Sequence, residues 1–397
     1  MASKNRSYSP GFTIVELLVV IVVIGVLAAI TIVSYTGIAQ RATNSALQSD
    51  LANASQQLKL YSIDNGNYPQ TNNCASSPTP PNICLKSSPN NTLTYQPNPT
   101  DYQSFSLISS NNNNATNNYR LTDSNTTPTP VSLVCPLNFI VVPGSSTYGT
   151  SDFCVMKYEA KQVGSTTTPI SQAAGLPWTS ISQTTAIANS PNVAGCTGCH
   201  LITETEWLTI AQNVLNIASN WSGGSVGSSY IYSGHNDNVP ANALAADTND
   251  GNGYIGTGDS SSSGADQRRT LRLSNGEVIW DLAGNVYDWT NSTLASGQQP
   301  GLSGEVAYSS KQWNNGSLLR NGLPANALPS FTGISGASGW SSTQGIGQLY
   351  SNSGDTSTRP FRRGGNWWDH GSAGVFALFL DYLPTGSSSA IGFRVSK

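Results

Sequence analysis

The stretch that decides the fold is Arg362-Arg363-Gly364-Gly365-Asn366-Trp367-Trp368-Asp369-His370, which runs on to Ile391-Gly392-Phe393-Arg394-Val395. Its two glycines allow a tight backbone turn directly beside two large flat rings. After the tryptophans, Asp, His, Phe, Tyr and Ser alternate with small apolar residues. Rigid aromatic area combined with adaptable hydrogen-bonding groups is typical of binding surfaces. The pattern predicts a contact face, which the rest of the chain is expected to build and carry.

The composition indicates an exported, loop-rich protein of more than one domain. With 397 residues the chain exceeds one ordinary domain. Only 10% of residues are charged and the net charge is -3. This balance opposes a nucleic-acid partner, which requires a dense basic surface. The six cysteines are an even number, so an exported chain of this kind is expected to form disulfides.

The N-terminal segment combines a basic start with a long apolar run. Residues 1–11 carry Lys4 and Arg6, and Glu16 stands just inside the apolar run. No residue from Leu17 to Tyr35 is charged. As a helix this run extends roughly 28 Å, which is enough to cross a bilayer core. A lone carboxylate at the edge of such a run is costly unless it finds a partner.

The sequence Gly11-Phe12-Thr13-Ile14-Val15-Glu16-Leu17-Leu18, followed by this run, resembles the type IV prepilins and pseudopilins. The resemblance implies that 1–11 is a leader, which a prepilin peptidase removes after Gly11 before Phe12 is methylated. It also implies that Glu16 pairs with the N-terminal amine of another pilin subunit. Residues 12–35 are then expected in the inner membrane before assembly, and in the core of an extracellular pilus at the cell surface afterwards.

The pilin part is expected to be small. Its helix should cover 12–66, because Asn65-Gly66 and Tyr68-Pro69 are helix-stop signals. Residues 67–123 predict a small β head with strands at Thr92–Tyr95, Gln103–Ile108 and Tyr119–Thr122. Cys74 and Cys84 bracket a Ser/Pro-rich loop and are expected to bond to each other. Residues 124–132 are rich in Thr and Pro, which predicts a semi-extended linker.

Residues 133–397 are expected to form one large domain. Two short apolar runs at its start predict strands, which a Cys135–Cys154 disulfide could join. Thr203, with Glu206 three residues later, forms a capping-box pattern that predicts a helix over 203–217. Beyond that helix, loops rich in Gly, Ser and Asn separate short strands.

Three motifs in this domain resemble the formylglycine-generating enzyme (sulfatase-modifying factor) family, a version of the C-type lectin fold. They are Leu201-Ile202-Thr203-Glu204-Thr205-Glu206-Trp207, Asp281-Leu282-Ala283-Gly284-Asn285-Val286-Tyr287-Asp288-Trp289, and Arg363-Gly364-Gly365-Asn366-Trp367 with Gly392-Phe393-Arg394-Val395. The implied fold class is α+β: a long N-terminal pilin helix with a small β head, then a loop-rich C-type lectin fold domain. Two helices, a twisted antiparallel sheet and neighbouring N- and C-terminal strands are expected in that domain.

The chemistry of the resembled oxidase is not expected here. In that family two cysteines near the C-terminus bind copper and activate oxygen. They should fall between Phe376 and Gly392, where this sequence has no Cys or Met. Thiolate is the soft ligand that Cu(I) needs. We therefore expect no copper and no enzyme activity, with an exported formylglycine-generating-type oxidase as an alternative.

The same resemblance implies a calcium ion at the glycine-asparagine turn. Its ligands would be the carboxylates of Asp281 and Asp288 and the carbonyls of Gly284 and Val286. Calcium takes six to eight oxygen ligands, so an oxygen-rich turn suits it. The alternative is a turn whose acidic side chains face water.

Cys196-Thr197-Gly198-Cys199-His200 has the C-x-x-C-H pattern of covalent haem attachment. His200 directly precedes the Leu201–Trp207 motif of the folded domain, which leaves little room for a porphyrin. We expect a local Cys196–Cys199 disulfide and no haem. An electron-transfer pilin based on this pattern is an alternative. A DNA-uptake pilin is another, which the low Lys and Arg content opposes.

The C-terminal run also resembles the variable proteins of diversity-generating retroelements, in which mutated template adenines rewrite AAC codons. Such codons can come to encode Asp, His, Phe, Tyr, Gly, Ser or Ala, but never Lys, Glu, Gln, Met or Trp. None of these five unreachable types occurs from Asp369 to Ala390. Beside Trp368, the expected contact residues are the positions open to diversification: Asp369, His370, Phe379, Asp381, Tyr382, Gly386, Ser388 and Ala390. The residues between them are expected to be framework: Gly371, Val375, Phe376, Ala377, Leu378, Leu380 and Pro384.

These patterns together predict a pilin-anchored receptor or adhesin for an unknown extracellular protein or glycan. The bulky second domain would hinder dense packing in a major filament, so a minor or tip subunit is expected. A fixed, undiversified contact surface is the alternative to the variable one.

Overall fold

The computed structural model describes residues 14–97, 102–103, 105–123, 126–131, 133–253, 259–260, 265–324 and 341–397. Gly11 and Phe12 lie outside these residues, and Glu16 lies in the first helix without a described side chain. That helix, α1, covers Ile14–Asn65 and ends at the predicted stop signal. Among the described residues, no helix is both long and apolar enough for a membrane crossing.

The head is a small antiparallel sheet that packs on the second half of α1. Leu47, Leu51 and Leu58 of the helix are fully buried in one cluster with Phe105 and Leu107 of the sheet. In chain order the strands are β1 (Thr71–Asn72), β2 (Asn82–Ile83), β3 (Asn91–Pro97), β4 (Phe105–Asn111), β5 (Asn114–Thr122) and β6 (Thr129–Val131). The sheet has the order β3-β4-β5-β6, and β1 and β2 form a two-residue parallel pair that precedes it.

The segment 124–132, expected as a linker, is structured in its second half. Thr129–Val131 is the edge strand of the head sheet, with Pro130 opposite Tyr119. An edge strand tolerates proline because its missing N–H is not needed for a ladder on the outer side. Arg120 of β5 also reaches the next domain, where it donates to the Phe139 carbonyl at 3.0 Å and pairs with Glu277 at 2.7 Å. The head is therefore tied to the large domain by contacts besides the chain itself.

The large domain has two helices and many short strands in its described part. The helices are α2 (Gln183–Asn189) and α3 (Glu204–Leu215). The capping box that predicts α3 is confirmed, since Thr203 and Glu206 exchange both hydrogen bonds. The strands are β7 (Phe139–Val142), β8 (Phe153–Met156), β9 (Ala160–Gln162), β10 (Pro169–Ser171), β11 (His200–Leu201), β12 (Asp259–Ser260), β13 (Ala265–Asp266), β14 (Thr270–Arg272), β15 (Val278–Trp280), β16 (Tyr287–Leu294), β17 (Ser309–Lys311), β18 (Leu349–Ser351), β19 (Arg359–Gly364), β20 (Gly374–Phe379), β21 (Ile391–Phe393) and β22 (Val395–Ser396).

Two larger sheets organise these strands. The four-stranded sheet has the order β11-β22-β8-β7, so the C-terminal strand lies beside the first strands of the domain, as the resemblance implied. The six-stranded sheet has the order β17-β18-β20-β19-β16-β21. It is mixed rather than antiparallel as expected, because β16 pairs with β21 and β18 with β20 in parallel. Long connections between the members of each pair make these parallel crossovers feasible.

The three sequence motifs meet in the core of this domain. Trp207 of the first motif donates its indole N–H to the Val375 carbonyl at 2.8 Å. Glu204, also in the first motif, forms a buried ion pair with Arg363 of the third. The second motif joins the third where the Trp367 N–H donates to the Asn285 carbonyl at 3.1 Å. The expected α+β class, with its long helix and loop-rich second domain, is confirmed.

Candidate functional site

A pocket of about 330 Å³ gathers most of the predicted contact residues. Six of the nine line it: Trp368, Asp369, Phe379, Asp381, Tyr382 and Ser388. The other lining residues are Tyr287, Ser310, Tyr350, Arg362 and Ser372. The pocket is therefore lined by five aromatic side chains, one cation, two carboxylates and three serine hydroxyl groups.

The six-stranded sheet supplies the floor of this pocket. Arg362 of β19 pairs with Phe379 of β20, which in turn pairs with Tyr350 of β18. On the other side, Arg362 pairs with Trp289 of β16, and Tyr287 lies two residues earlier on that strand. Directly paired residues, and residues two apart on a strand, share one face of a sheet. Strand register thus brings these side chains together from segments far apart in the sequence.

The glycine pair positions the wall beside this floor. Gly364 and Gly365 both have φ +85°, in the left-handed region that favours glycine. A Cβ on Gly365 would lie 2.6 Å from the Ala373 Cα, and one on Gly364 would lie 2.9 Å from the Leu282 carbonyl oxygen. The turn therefore needs glycine at both positions, and it directs Trp368 and the residue after it towards the pocket.

The Arg362 guanidinium is the electrostatic centre of the pocket. It is 3% exposed and lies over the rings of Tyr382 and Tyr287, at 4.2 and 4.4 Å from their centroids. It also forms an ion pair with Asp381. A planar guanidinium can stack on rings and pair with a carboxylate at the same time. Its Nε has no hydrogen-bond partner among the described residues.

Asp369 is the second carboxylate, and within the described part of the chain no cation forms an ion pair with it. It accepts a hydrogen bond from the Asn366 N–H at 2.9 Å and another from the Tyr287 hydroxyl. Burial raises the pKa of Asp369 to about 6, against the opposing effect of these hydrogen bonds and of Arg362. Burial and the neighbouring Asp369 raise the pKa of Tyr287 well above its ordinary value. The pocket thus contains one compensated ion pair and one carboxyl group that titrates near neutral pH.

A second pocket of about 410 Å³ adjoins the first. Its lining residues are Ser357, Arg359, Asp381, Tyr382, Leu383, Thr385 and Gly386. Asp381 and Tyr382 line both pockets and so divide them. We call the two pockets together the contact groove. It includes Gly386, another of the predicted contact residues.

Two predicted contact residues lie elsewhere. Ala390 is 1% exposed and packs with Val286 and Trp367, so the prediction that it contacts a ligand is wrong for this arrangement. His370 is exposed but lines neither pocket, and its backbone N–H donates to the Asn236 carbonyl at 2.8 Å. The predicted framework fits better, since its central part is fully buried: Val375, Phe376, Ala377, Leu378 and Leu380.

Five residues that line the first pocket were not among the predicted contact residues. Arg362 and Tyr287 lie within or beside the motifs that the sequence singles out, and alternation along their strands would have identified them. Tyr350, Ser310 and Ser372 carry no such signal. The first two enter the site only through the pairing of β17 and β18 with the rest of the sheet.

Residues 102–397 match the sulfatase-modifying factor enzyme 1-like domain family. The chain belongs to this family. The match begins at residue 102, so it includes strands β4 to β6 that were assigned to the head and linker. A separate match to the prokaryotic N-terminal methylation motif covers residues 6–32.

The N-terminal part of this sulfatase-modifying-factor-like chain is pilin-like. Type II secretion system core protein G from Escherichia coli K12 is 40% identical over 62 residues, which cover 16% of this chain and 43% of that protein. The protein of the same name from Dickeya chrysanthemi is 39% identical over 61 residues, covering 15% and 40%. The chain therefore spans less than half the length of these curated relatives.

Two solved structures are similar to this chain at low sequence identity. The Major Tropism Determinant U1 variant has a TM-score of 0.27 and 12% identity, covering 73% of this chain and 62% of its own. Treponema denticola variable protein 1 has a TM-score of 0.29 and 13% identity, covering 78% and 99%.

The cysteines of this family member are all used in disulfides. The bonds are Cys74–Cys84, Cys135–Cys154 and Cys196–Cys199, which confirms the expected pairs. Where the resemblance places copper-binding cysteines, the chain has β20 and the loop that supplies Asp381 and Tyr382 to the contact groove. This donor set does not fit copper. The expectations of no copper and no enzyme activity remain predictions.

The glycine-asparagine turn is held by arginines rather than arranged around an ion. Both Asp281 oxygens accept hydrogen bonds from Arg269, at 2.7 and 2.6 Å, and Asp288 accepts one from Arg394 at 2.8 Å. Of these four carboxylate oxygens, only Asp288 Oδ1 has no hydrogen-bond partner among the described residues, and calcium takes six to eight oxygen ligands. The described residues contain no group of three or more acidic, His or Cys side chains suited to a metal. The residues at Asp281, Gly284, Val286 and Asp288 therefore do not fit calcium.

More buried charge surrounds this turn. Glu159 accepts hydrogen bonds from the Asn285 side chain at 2.6 Å and from the Val286 N–H at 3.2 Å. Burial raises the pKa of Glu159 and lowers that of Lys161 nearby. Burial also raises the pKa of Asp288 to about 6. Buried charges need partners, and protein donors contact both oxygens of Asp281, both oxygens of Glu159 and one oxygen of Asp288.

His200 of the C-x-x-C-H pattern is bound within the fold at both ring nitrogens. Nδ1 lies 3.0 Å from the Gly198 carbonyl, and Nε2 lies 3.1 Å from both Glu206 Oε1 and the Ser396 hydroxyl. The hydrogen bond to Glu206 raises the pKa of His200. With both thiols in a disulfide and both nitrogens engaged, these residues do not fit covalent haem attachment. Through its Nε2, His200 instead links Ser396 of the C-terminal strand to Glu206 in the first turn of α3.

Proposed function

We propose that this chain is a pilin-anchored ligand-binding protein whose contact groove faces the outside of the cell. The observation that carries the proposal is the combination of a prepilin-type N-terminus and an aromatic, polar groove in one chain. The N-terminus would direct the chain to the cell surface, and the groove would bind a ligand there. The ligand is an extracellular protein or glycan.

The N-terminal features support anchoring and assembly. The methylation motif at residues 6–32 supports cleavage after Gly11 and methylation of Phe12 by a prepilin peptidase. The apolar side chains of α1 that are described in its first part are exposed, among them Ile14, Leu18 and Ile21. Such a surface requires an apolar environment. The inner membrane before assembly, and neighbouring pilin subunits afterwards, would supply it, with Glu16 engaging a neighbour's N-terminal amine.

The size of the second domain supports a minor or tip position. The family match spans residues 102–397, so most of the chain lies outside the pilin stem. A domain of this size on every subunit would crowd a densely packed filament. A subunit at the tip or at intervals avoids this crowding and leaves the groove accessible.

The buried framework and lining residues support a diversified face. Positions open to change from AAC codons include Asp369, Phe379, Asp381, Tyr382 and Ser388, which all line the first pocket. The framework between them is buried, so substitution at Asp369, Asp381 or Ser388 can alter the surface without removing the core, whereas Phe379 belongs to both. A reverse transcriptase gene near this one, with a second copy of the coding sequence for 363–397 that differs at adenines, is the expected genomic arrangement.

The experiment compares filament fractions from cells that express the full chain and a Glu16→Ala variant. Filaments are sheared from the cells, labelled with gold against the large domain and imaged. We expect sparse or terminal label for the parent chain and loss of label from filaments for the variant. Even decoration along the fibres contradicts the minor or tip position. Retention of the parent chain in the membrane fraction contradicts the proposed function.

A further inference from the structure

We propose that the contact groove binds a neutral glycan, with one sugar unit in each of its two pockets. This inference rests on the proposed display function, because it names the ligand class of the same surface. It follows from the charges, the unused hydrogen-bonding groups and the shape of the groove.

The signs of the charges favour a neutral ligand. An anionic group in the first pocket would approach Asp369 and Asp381, and a cationic group placed against Asp381 would approach the Arg362 guanidinium that already pairs with it. In the second pocket Arg359 is already paired with Asp355 at 2.6 Å, so its charge is compensated. Desolvating a charged ligand group beside a charge of the same sign is unfavourable. A ligand without formal charge avoids both conflicts.

Unused hydrogen-bonding groups favour a ligand rich in hydroxyls. Arg362 Nε is a buried donor without a partner among the described residues. The Asp381 side chain is 27% exposed, so its carboxylate can still accept a hydrogen bond at the boundary of the pockets. A hydroxyl both donates and accepts. Adjacent sugar hydroxyls can therefore accept from Arg362 and donate to Asp381, which a purely apolar ligand cannot do.

The aromatic side chains suit the flat apolar faces of sugar rings. Trp368 is 43% exposed at the edge of the first pocket. Its ring meets Trp367 edge to face, with centroids 4.8 Å apart, and Trp367 is buried. A supported, exposed indole offers contact area at low conformational cost.

The division of the groove sets a minimum ligand length. Its pockets of about 330 and 410 Å³ each fall within the range of small-molecule sites. They meet at Asp381 and Tyr382, so a ligand that fills both must cross these two residues. Leu383, an exposed apolar residue, lies on the far side. A single sugar would fill one pocket, and a disaccharide would reach the second.

The test titrates the full chain in a detergent without a sugar headgroup. The neutral probes are methyl glycosides of glucose, galactose, mannose and N-acetylglucosamine, with disaccharides built from each. The charged probes are the acetylated methylamides of lysine and glutamate. We expect saturable binding of at least one neutral glycoside, and binding of its disaccharide about tenfold tighter because it gains the second pocket. Neither charged probe should bind at the concentrations at which the neutral glycoside saturates the chain.

Variants assign the binding to the groove. Trp368→Ala should weaken the glycoside about tenfold or more, and Leu383→Ser should remove only the added affinity of the disaccharide. Val306→Ala is the matched control, because Val306 is 94% exposed and lines neither pocket. Melting curves confirm that each variant is folded.

Two results overturn the ligand class: preferential binding of the lysine or glutamate probe, or no saturable binding of any neutral glycoside by the folded chain. If the chain still reaches filaments in either case, the ligand class fails and the display function stands. If the chain never leaves the membrane, the display function fails whether or not a glycoside binds.

Discussion

At the scale of single residues, the Arg362 side chain makes three kinds of interaction in the groove, and no other residue type could make all three at this position. It lies over the rings of Tyr287 and Tyr382, pairs with Asp381, and has one nitrogen, Nε, without a hydrogen-bond partner among the described residues. Lysine carries the same charge but lacks the planar group that makes stacking and pairing simultaneous. Replacing Arg362 by lysine therefore separates the effect of the positive charge from the effect of the planar shape.

We predict that Arg362→Lys lowers the free energy of unfolding by about 1–3 kcal/mol, because the stacked contacts are lost while a buried charge remains. The measurement is denaturant unfolding followed by tryptophan fluorescence. Arg320→Lys is the control, because Arg320 is exposed and should change by less than about 0.5 kcal/mol. Equal effects at both positions would show that stacking adds nothing.

Asp369 gives the groove a pH dependence whose sign can be worked out. Its pKa is raised to about 6 in the folded chain and is about 3.9 when unfolded. Between these values the folded state binds more proton, so stability from this group is present at low pH and is lost as pH rises towards 6.

We predict that Asp369→Asn removes this loss. The difference in the free energy of unfolding, variant minus parent chain, should therefore rise by about 1–3 kcal/mol as the pH increases from 4 to 7. Melting temperatures of both chains over this range provide the measurement. A difference that stays constant with pH would contradict the assignment, whatever its absolute size.

At the scale of elements, the turn between β19 and β20 controls the wall of the groove. Gly365 has φ +85° and its Cβ position is occupied by Ala373. Gly371 lies six residues later, outside the left-handed region, with open space where a Cβ would be. The two glycines thus form a natural pair for comparison.

We predict that Gly365→Ala costs about 2–4 kcal/mol of stability, from left-handed strain and overlap with Ala373. Gly371→Ala should be nearly neutral. Thermal unfolding of the two variants and the parent chain provides the comparison. A neutral Gly365→Ala would mean that the turn can relax, and that it does not hold Trp368 in place.

Local signals at the element scale were readable from the sequence, and long-range pairing was not. The end of α1, the Thr203 capping box and the need for Gly364 each depend on a few neighbouring residues, and all were found. The edge strand at Thr129–Val131, the parallel pairing in the six-stranded sheet and the entry of Tyr350 into the groove depend on contacts between distant segments. For the same reason the sequence did not indicate Arg269 as the partner of Asp281, because their pairing has no local sequence signal.

At the scale of the whole molecule, the large domain is expected to be stable without calcium. Asp281 and Asp288 already have arginine partners, so a cation would have to displace buried guanidinium groups. We predict that EDTA and millimolar calcium leave the melting temperature unchanged within error. A saturable rise in melting temperature with calcium would contradict this prediction and would indicate that the ion binds at the glycine-asparagine turn. Arg269→Met provides the positive control, since leaving Asp281 buried without its partner should cost about 3–5 kcal/mol.

The central claim is that a pilin stem carries the contact groove outside the cell. All native cysteines are in disulfides, so a single new cysteine at Val306, which is 94% exposed, can be labelled selectively. The measurement treats intact cells expressing the Val306→Cys chain with a membrane-impermeant maleimide and then shears off their filaments. We expect labelled protein in the sheared fraction, with a mature N-terminus at Phe12. Labelling that appears only after the cells are lysed would contradict it.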